Sequence, residues 1–189
     1  MAILLSFSPF IVFALLTRAT SSQLALFAGA AIALVLVLRE IIRGKSIKVL
    51  EAGTAVLFGA LGIYLSLSPA AWSILGVRLA VDAGLLAIVL ISIAIRLPFT
   101  LQYAREQVSP ELAARPIFLA INTTITWAWA GAFAVLVIAD VIMLYVPGVP
   151  LWVGIALTVG ALYGAIRFTR WYPEQMRTRA VANGVDIGA

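Results

Sequence analysis

The chain has no cysteine and no histidine among its 189 residues. Without cysteine it has no disulfide, no thiolate nucleophile and no thiolate ligand for a metal ion. Without histidine it lacks the commonest general base, the commonest metal ligand and the usual axial ligand of haem. Carboxylates are the remaining candidates for proton or ion chemistry. We therefore expect no enzyme activity, no metal site and no other cofactor.

Charged residues are also scarce, at 11% of the chain, whereas hydrophobic residues make up 63%. Soluble domains are about 45–50% apolar, so this composition indicates an integral membrane protein. The net charge of +5 would suggest nucleic-acid binding in a soluble protein. Here the basic residues lie in short connections between apolar runs, where they orient a membrane protein. We expect membrane lipids as partners and no nucleic acid.

The apolar residues are gathered into six successive runs. These runs cover residues 2–17, 22–38, 50–67, 78–95, 117–146 and 151–166. About 20 helical residues cross a hydrocarbon layer of roughly 30 Å, and the fifth run exceeds that length. We predict an all-α fold, namely a polytopic membrane protein with a six-transmembrane-helix bundle over residues 1–170 and a cytoplasmic tail over residues 171–189.

The longest polar connection, residues 99–116, separates the fourth span from the fifth. Within it, Ser109 followed by Pro110 and Glu111 is typical of a helix start, because serine caps the first turn and proline fits its first position. We predict a short helix on the membrane surface between spans 4 and 5.

The distribution of basic residues predicts the orientation of the six spans. Eleven of the thirteen fall in connections on one side of such a bundle: Arg39, Arg43, Lys45, Lys48, Arg96, Arg105, Arg115, Arg167, Arg170, Arg177 and Arg179. The other side carries only Arg18 and Arg78. Short loops rich in Lys and Arg stay in the cytoplasm. We predict a multi-pass protein of the bacterial inner membrane with both termini in the cytoplasm.

Two carboxylates, Asp82 and Asp140, lie furthest inside apolar sequence. The predicted topology places both in the outer third of the membrane, and Arg78 shares a helix face with Asp82 because the two are four residues apart. Intramembrane ionisable groups often mark ion or proton routes, so these three residues form a candidate ion or proton site. A polar clip between helices near the headgroups explains them too, and we favour the clip because charge costs little at that depth.

Three other groups of residues have two interpretations each. Asn122, Thr123 and Thr126 either line a polar cleft at the cytoplasmic end of the fifth span or bond to helix backbone. The basic-aromatic group at Arg167, Arg170 and Trp171 is a candidate lipid contact, either by specific recognition of an anionic lipid or by general attraction to the anionic leaflet. The spacing of Gly160 and Gly164 permits close helix approach, either within the bundle or in a homodimer.

Several runs resemble the bacterial intracellular septation protein A family of small polytopic inner-membrane proteins. The resembling runs are SPFIVF at residues 8–13, SIKVLEAG at 46–53, VLFGAL at 56–61, LAINTTITWAW at 119–129 and VIMLYV at 141–146. The resemblance implies a role in cell-envelope or division processes and implies no catalytic residue.

Two functions follow as hypotheses. The first is a noncatalytic integral protein of the cell envelope that acts through helix and lipid contacts in septation or envelope assembly, with other membrane proteins or a second copy as partners. The alternative is a small proton- or cation-coupled transporter that uses Asp82 and Asp140. Proton or cation flux that depends on these carboxylates would distinguish the alternative from the first.

Overall fold

The computed structural model describes residues 5–69 and 71–182 of the chain, and its regular elements there are all helices. In chain order these are α1 Ser8–Leu16, α2 Ser22–Ile42, α3 Val49–Leu67, α4 Ile74–Ala94, α5 Phe99–Arg105, α6 Pro110–Ala113, α7 Pro116–Tyr145 and α8 Leu151–Ala182. The all-α prediction is confirmed for this part of the chain. Helix α8 continues through the predicted boundary after residue 170, and residues 183–189 of the predicted tail lie outside the described residues.

Five of these helices are long and apolar enough to cross a membrane, namely α2, α3, α4, α7 and residues Leu151–Arg179 of α8. Their most apolar windows have mean hydropathies between 1.6 and 2.3. The chain therefore has the architecture of a multi-pass membrane protein. Serine caps open two of the spans, because Ser21 accepts a hydrogen bond from the N–H of Leu24 and Ser73 accepts one from that of Gly76.

Within the described residues, the predicted first span is helical at Leu5 and over Ser8–Leu16, and the count of six spans is not confirmed. At 1.5 Å per residue, nine residues extend about 14 Å, which is less than half of a hydrocarbon layer. Helix α1 nevertheless packs inside the bundle. The Phe58 ring lies 5.0 Å from that of Phe10 and 5.5 Å from that of Phe13, measured between centroids.

The connection between α4 and α7 turns back into the bundle, so the predicted surface helix is not confirmed. Arg96 has a left-handed backbone (φ 58°), and two residues later Pro98 begins the return. The N–H of Phe99 then donates to the Ser92 hydroxyl of α4 at 3.3 Å. Four of the seven residues of α5 are buried, namely Phe99, Thr100, Leu101 and Tyr103. This apolar composition favours packing over exposure.

Of the two short helices in this connection, α5 and α6, only the four-residue α6 has no buried residue. Its first turn begins where the sequence predicts, because the Ser109 hydroxyl accepts a hydrogen bond from the N–H of Leu112 at 3.4 Å. The polar connection thus consists of a buried first half and an exposed second half.

Glycines allow the spans to approach each other closely. A Cβ atom on Gly29 of α2 would lie 2.3 Å from the Phe58 ring of α3, and one on Gly84 of α4 would lie 2.3 Å from Leu57. Atoms cannot approach so closely, so a Cβ atom at either position would force the facing side chain to shift. The α2–α3–α4 packing therefore depends on these two positions.

Helices α7 and α8, of 30 and 32 residues, are about ten residues longer than α2, α3 and α4. The indole N–H of Trp129 in α7 donates to the Thr169 hydroxyl of α8 at 3.0 Å. The Trp129 ring also lies 6.2 Å from that of Phe99, whose N–H donates to Ser92 near the end of α4. Trp129 and Thr169 therefore lie close to the level at which α4 ends. Residues before Trp129 and after Thr169 therefore extend past α4 at one end of the bundle. We call it the basic end, since it holds the connections at 43–48 and 95–115.

Candidate functional site

The three residues predicted as an ion or proton site meet near the end of the bundle opposite the basic end. The Nε atom of Arg78 lies 3.0 Å from Oδ1 of Asp140 and 3.8 Å from Oδ2 of Asp82. Its Nη2 atom donates to the Thr158 hydroxyl at 2.8 Å. One guanidinium thus joins α4, α7 and α8. Sequence reasoning missed Thr158, since a lone threonine in an apolar helix carries no signal of a partner 80 residues away.

This outer cluster is buried most deeply at Asp140. The side chains of Asp140, Asp82 and Arg78 are 1%, 13% and 30% exposed. The second oxygen of Asp140, Oδ2, has no hydrogen-bond partner among the described residues. One guanidinium faces two carboxylates, so the cluster carries one net negative charge when both are ionised. Such a group can clip helices together, or it can hold a proton or a monovalent cation.

A second ionic cluster lies at the basic end, and sequence reasoning missed it. The ammonium group of Lys48 contacts Glu40 of α2 and lies 2.9 Å from Oε1 of Glu106. Lys45 contacts the other Glu106 oxygen at 2.8 Å. The Lys48 side chain is only 3% exposed. This inner cluster joins two connections that are about 60 residues apart in sequence, a pairing that hydrophobic periodicity cannot predict.

Glu51 extends the inner cluster toward α1 and α5. Its Oε1 atom accepts hydrogen bonds from the hydroxyl of Ser6 at 2.8 Å and from that of Tyr103 at 3.4 Å. The Lys48 ammonium lies 5.3 Å from the centroid of the Tyr103 ring, within cation–π distance. The N–H of Val49 donates to the Gln102 side chain at 2.8 Å, which satisfies a free donor at the start of α3.

The charges of the inner cluster stabilise each other. Burial alone would lower the pKa of Lys48, but hydrogen bonds to Glu40 and Glu106 raise it above the ordinary 10.5. Burial would raise the pKa of Glu106, but hydrogen bonds from Lys45 and Lys48 lower it below the ordinary 4.5. Burial, with further contributions from Glu51, raises the pKa of Tyr103 well above its ordinary range. Lys48 and Glu106 are therefore ionised near neutral pH, and we call their contact the clasp.

The three residues of the predicted polar cleft all donate hydrogen bonds to helix backbone. The Asn122 side chain donates to the carbonyl of Phe118, Thr123 donates to that of Leu119 and Thr126 to that of Asn122, each at 2.9 Å. These are backbone bonds, as the second interpretation predicts. Asn122 also lines a groove of about 740 Å³ at the basic end, between α5, α6, α7 and α8.

The predicted lipid-contact residues Arg167, Arg170 and Trp171 are exposed on α8. They flank Thr169, whose bond to Trp129 sets them close to the level at which α4 ends. That level is the edge of the apolar spans, where tryptophan and arginine side chains reach headgroups. Contact with lipid at these residues stays a prediction.

No family model, curated protein or solved structure matches the chain. The geometry of the two clusters, the groove and the exposed face of α8 is therefore the basis of the functional argument.

The lowered pKa of Glu106 predicts an acid-dependent loss of stability. Glu106→Gln should destabilise the protein by about 1.5 kcal/mol at neutral pH, because hydrogen bonds to charged groups contribute about that much. The stabilisation by Glu106 is present above pH 4.5 and is lost as the pH falls toward its lowered pKa. The difference between parent and variant should therefore shrink below pH 4.5.

Thermal unfolding in detergent micelles across this pH range measures the effect. Glu174→Gln, an exposed position on α8, is the control and should match the parent throughout. A gap between parent and Glu106→Gln that stays constant with acidification would contradict the role assigned to the clasp.

Proposed function

We propose that this chain is a noncatalytic integral membrane protein of the cell envelope that acts through helix and lipid contacts. The resemblance of its sequence to a septation family suggests septation or envelope assembly as the process. We further propose that the protein lies in the bacterial inner membrane, crosses it six times and has both termini in the cytoplasm. The contact of Ser6 with Glu51 supports this topology, because Glu51 lies in the first turn of α3 at the basic end, whereas α2, the next helix after α1, begins at the opposite end.

The observation that carries the contact function is the exposure of α8. Only 11% of its most apolar window is buried, against 28–39% in the other four spans. Its exposed face presents large apolar side chains, among them Ile155, Val159 and Tyr163. Helix α8 packs chiefly on α7. The rest of its span is left to lipid or to a helix from another membrane protein.

The small residues of α8 lie on its open surface and do not serve packing within the bundle. Ala156, Gly160 and Gly164 are exposed. A Cβ atom on Gly160 or Gly164 would meet nothing within 4 Å. Small residues four apart allow two helix backbones to approach closely and gain dispersion contacts. On this exposed apolar helix, the partner we propose is a second copy of the chain.

Bulky side chains at these glycines should disrupt the self-contact. Gly160→Ile and Gly164→Ile should each weaken self-association about tenfold, because backbones kept apart lose contacts of roughly 1–2 kcal/mol. Energy transfer between donor- and acceptor-labelled copies diluted in lipid vesicles measures the association.

Gly131→Ile is the matched control, because Gly131 lies on α7 and a Cβ there also meets open space. It should associate like the parent. A parent that stays monomeric, or a Gly131→Ile variant weakened as much as the α8 variants, would contradict the proposed contact.

One observation supports the second candidate, a proton- or cation-coupled transporter. In the outer cluster a single guanidinium faces two carboxylates, and Asp140 Oδ2 has no partner among the described residues. Net charge buried in a low-dielectric setting is costly, so a bound proton or monovalent cation would stabilise the cluster.

The space between the two ionic clusters favours the contact function. Phe7 stacks on Trp129 with their centroids 5.1 Å apart, and its ring lies 6.0 Å from that of Phe133. Phe58, fully buried, packs beside Phe10 in the same layer. Aromatic rings offer no chain of hydrogen bonds to a proton or an ion, so this layer separates the clusters.

A flux assay decides between the two candidates. Proteoliposomes containing the parent should show no proton or alkali-cation flux above empty vesicles when a pH gradient is imposed. Flux that is present in the parent, lost in Asp82→Asn and retained in Glu174→Gln would contradict the contact function and support transport. Asp82→Asn keeps the closer contact between Arg78 and Asp140, so we expect the variant to fold, and thermal unfolding verifies this. If the protein is a transporter, Asp140→Asn should also abolish the flux.

A further inference from the structure

The outer cluster places two carboxyl groups against each other inside the apolar part of the bundle. Asp82 lies eight residues into α4, and Asp140 lies five residues before the end of α7. At 1.5 Å per residue they are about 12 Å and about 8 Å from the ends of their helices. The two carboxyl groups lie within hydrogen-bonding distance of each other. Two acids from different helices thus share one largely buried place.

Two ionised carboxylates at that distance repel each other and have no hydrogen to share. A carboxylate only accepts hydrogen bonds, whereas a protonated carboxyl group also donates one. Two acids that share a site therefore hold one proton between them, because two like charges about 3 Å apart cannot both persist. A proton at this place turns a repulsive contact into a charge-assisted hydrogen bond.

The contacts of Asp140 indicate which acid keeps the negative charge. Its Oδ1 atom lies 3.0 Å from the Nε atom of Arg78, whereas Oδ2 of Asp82 lies 3.8 Å from the same atom. Asp140 is also the more deeply buried, with 1% of its side chain exposed, and its Oδ2 atom has no donor among the described residues. Asp140 thus pairs with the guanidinium and can still accept a hydrogen bond, which a proton on Asp82 supplies.

The surroundings of the pair offer one positive charge for two acids. Among the described residues, Arg78 is the one cation that acts on either carboxyl group, and Thr158 of α8 contributes a neutral hydroxyl. The charged residues of the other helices packed on α4 and α7 lie at the basic end, as Glu51 and Arg105 do. Three tyrosines on the packed helices are more than half exposed and do not act on the pair; they are Tyr64, Tyr145 and Tyr163. One bound proton therefore makes the cluster neutral.

We propose that the outer cluster binds one proton, held between the carboxyl groups of Asp82 and Asp140. Asp140 is ionised against Arg78, and Asp82 carries the proton and donates it in a hydrogen bond to Asp140. Arg78 then holds α4, α7 and α8 together through Asp140 and Thr158. An alkali cation is the less suitable ligand, because it would lie beside the guanidinium and be repelled by it.

The bound proton is separate from both candidates of the proposed function. In the contact protein it stays in the cluster and stabilises the packing of α4, α7 and α8. Transport would require the proton to cross the aromatic layer, and the flux assay measures that crossing. A protein without flux can hold the proton, and a failure of α8 to pair with a second copy leaves the proton site unaffected.

Carbon-13 NMR of the cluster carboxyl groups tests the proposal. The chain has three aspartates, Asp82, Asp140 and Asp186, so Asp186→Asn leaves only those of the cluster. The full chain with this substitution, labelled with carbon-13 at its aspartate carboxyl carbons, is titrated in detergent micelles from pH 5 to pH 7. One carbon should show the chemical shift of a protonated carboxyl group and the other that of a carboxylate, or the two should average to the midpoint in fast exchange.

Asp82→Asn in the same background is the matched control, since its amide can donate to Asp140 in place of the proton. The remaining carbon should show the shift of a carboxylate throughout. Two carboxylate shifts, or two protonated ones, in the chain that keeps both acids would overturn the proposal. Shifts that change when sodium or potassium replaces a large organic cation at constant pH would also overturn it, because they would indicate a cation site.

Stability gives a second readout, opposite in sign to that of Glu106. A proton bound in the folded chain but not in the unfolded one stabilises the fold at low pH, and this stabilisation falls as the pH rises above about 3.9. One such proton changes the folding equilibrium constant about tenfold per pH unit. The Tm of the parent should therefore fall relative to that of Asp82→Asn between pH 5 and pH 7. A difference in Tm that stays constant over this range would contradict the bound proton, and the spectrum of the chain with both acids is decisive even if Asp82→Asn fails to fold.

Discussion

Pairing of opposite charges inside a low-dielectric layer is the constraint on which the rest of this structure depends. A buried ammonium or carboxylate is costly unless it meets an opposite charge. Lys48 meets Glu40 and Glu106 at the basic end, and Arg78 meets Asp140 at the other. The Lys48–Glu106 and Arg78–Asp140 contacts join segments about 60 residues apart in sequence. The two clusters thereby fix which helices are neighbours, while apolar and aromatic side chains fill the layer between.

These contacts divide the bundle into a tightly packed part and one helix that is largely exposed. Helices α2, α3 and α4 are held tightly, because glycines let their backbones approach and the inner cluster closes one end. Helix α8 is held by α7, the Trp129–Thr169 bond and the Arg78–Thr158 bond, with most of its span exposed. A well-packed body beside one open helix is an arrangement suited to lateral contact.

The membrane class and the outer cluster could be predicted from the sequence, because long apolar runs and carboxylates within them are local signals. The four-residue spacing of Arg78 and Asp82 predicts a shared face, and hydropathy restricts where Asp140 can lie. The inner cluster could not be predicted: Lys45 and Lys48 look like ordinary loop cations until α5 turns back and carries Glu106 to them. Residues 2–17 were apolar enough for a span, yet α1 itself has nine residues.

The most direct test of the account is the sidedness of the two ends of the bundle. The chain has no native cysteine, so a single introduced cysteine reports its own position. Ala114→Cys lies at the basic end and Ala71→Cys at the opposite end, and both positions are exposed. In intact bacterial cells a membrane-impermeant maleimide should label Ala71→Cys alone, and it should label both variants after permeabilisation. Labelling of both variants in intact cells would contradict the account.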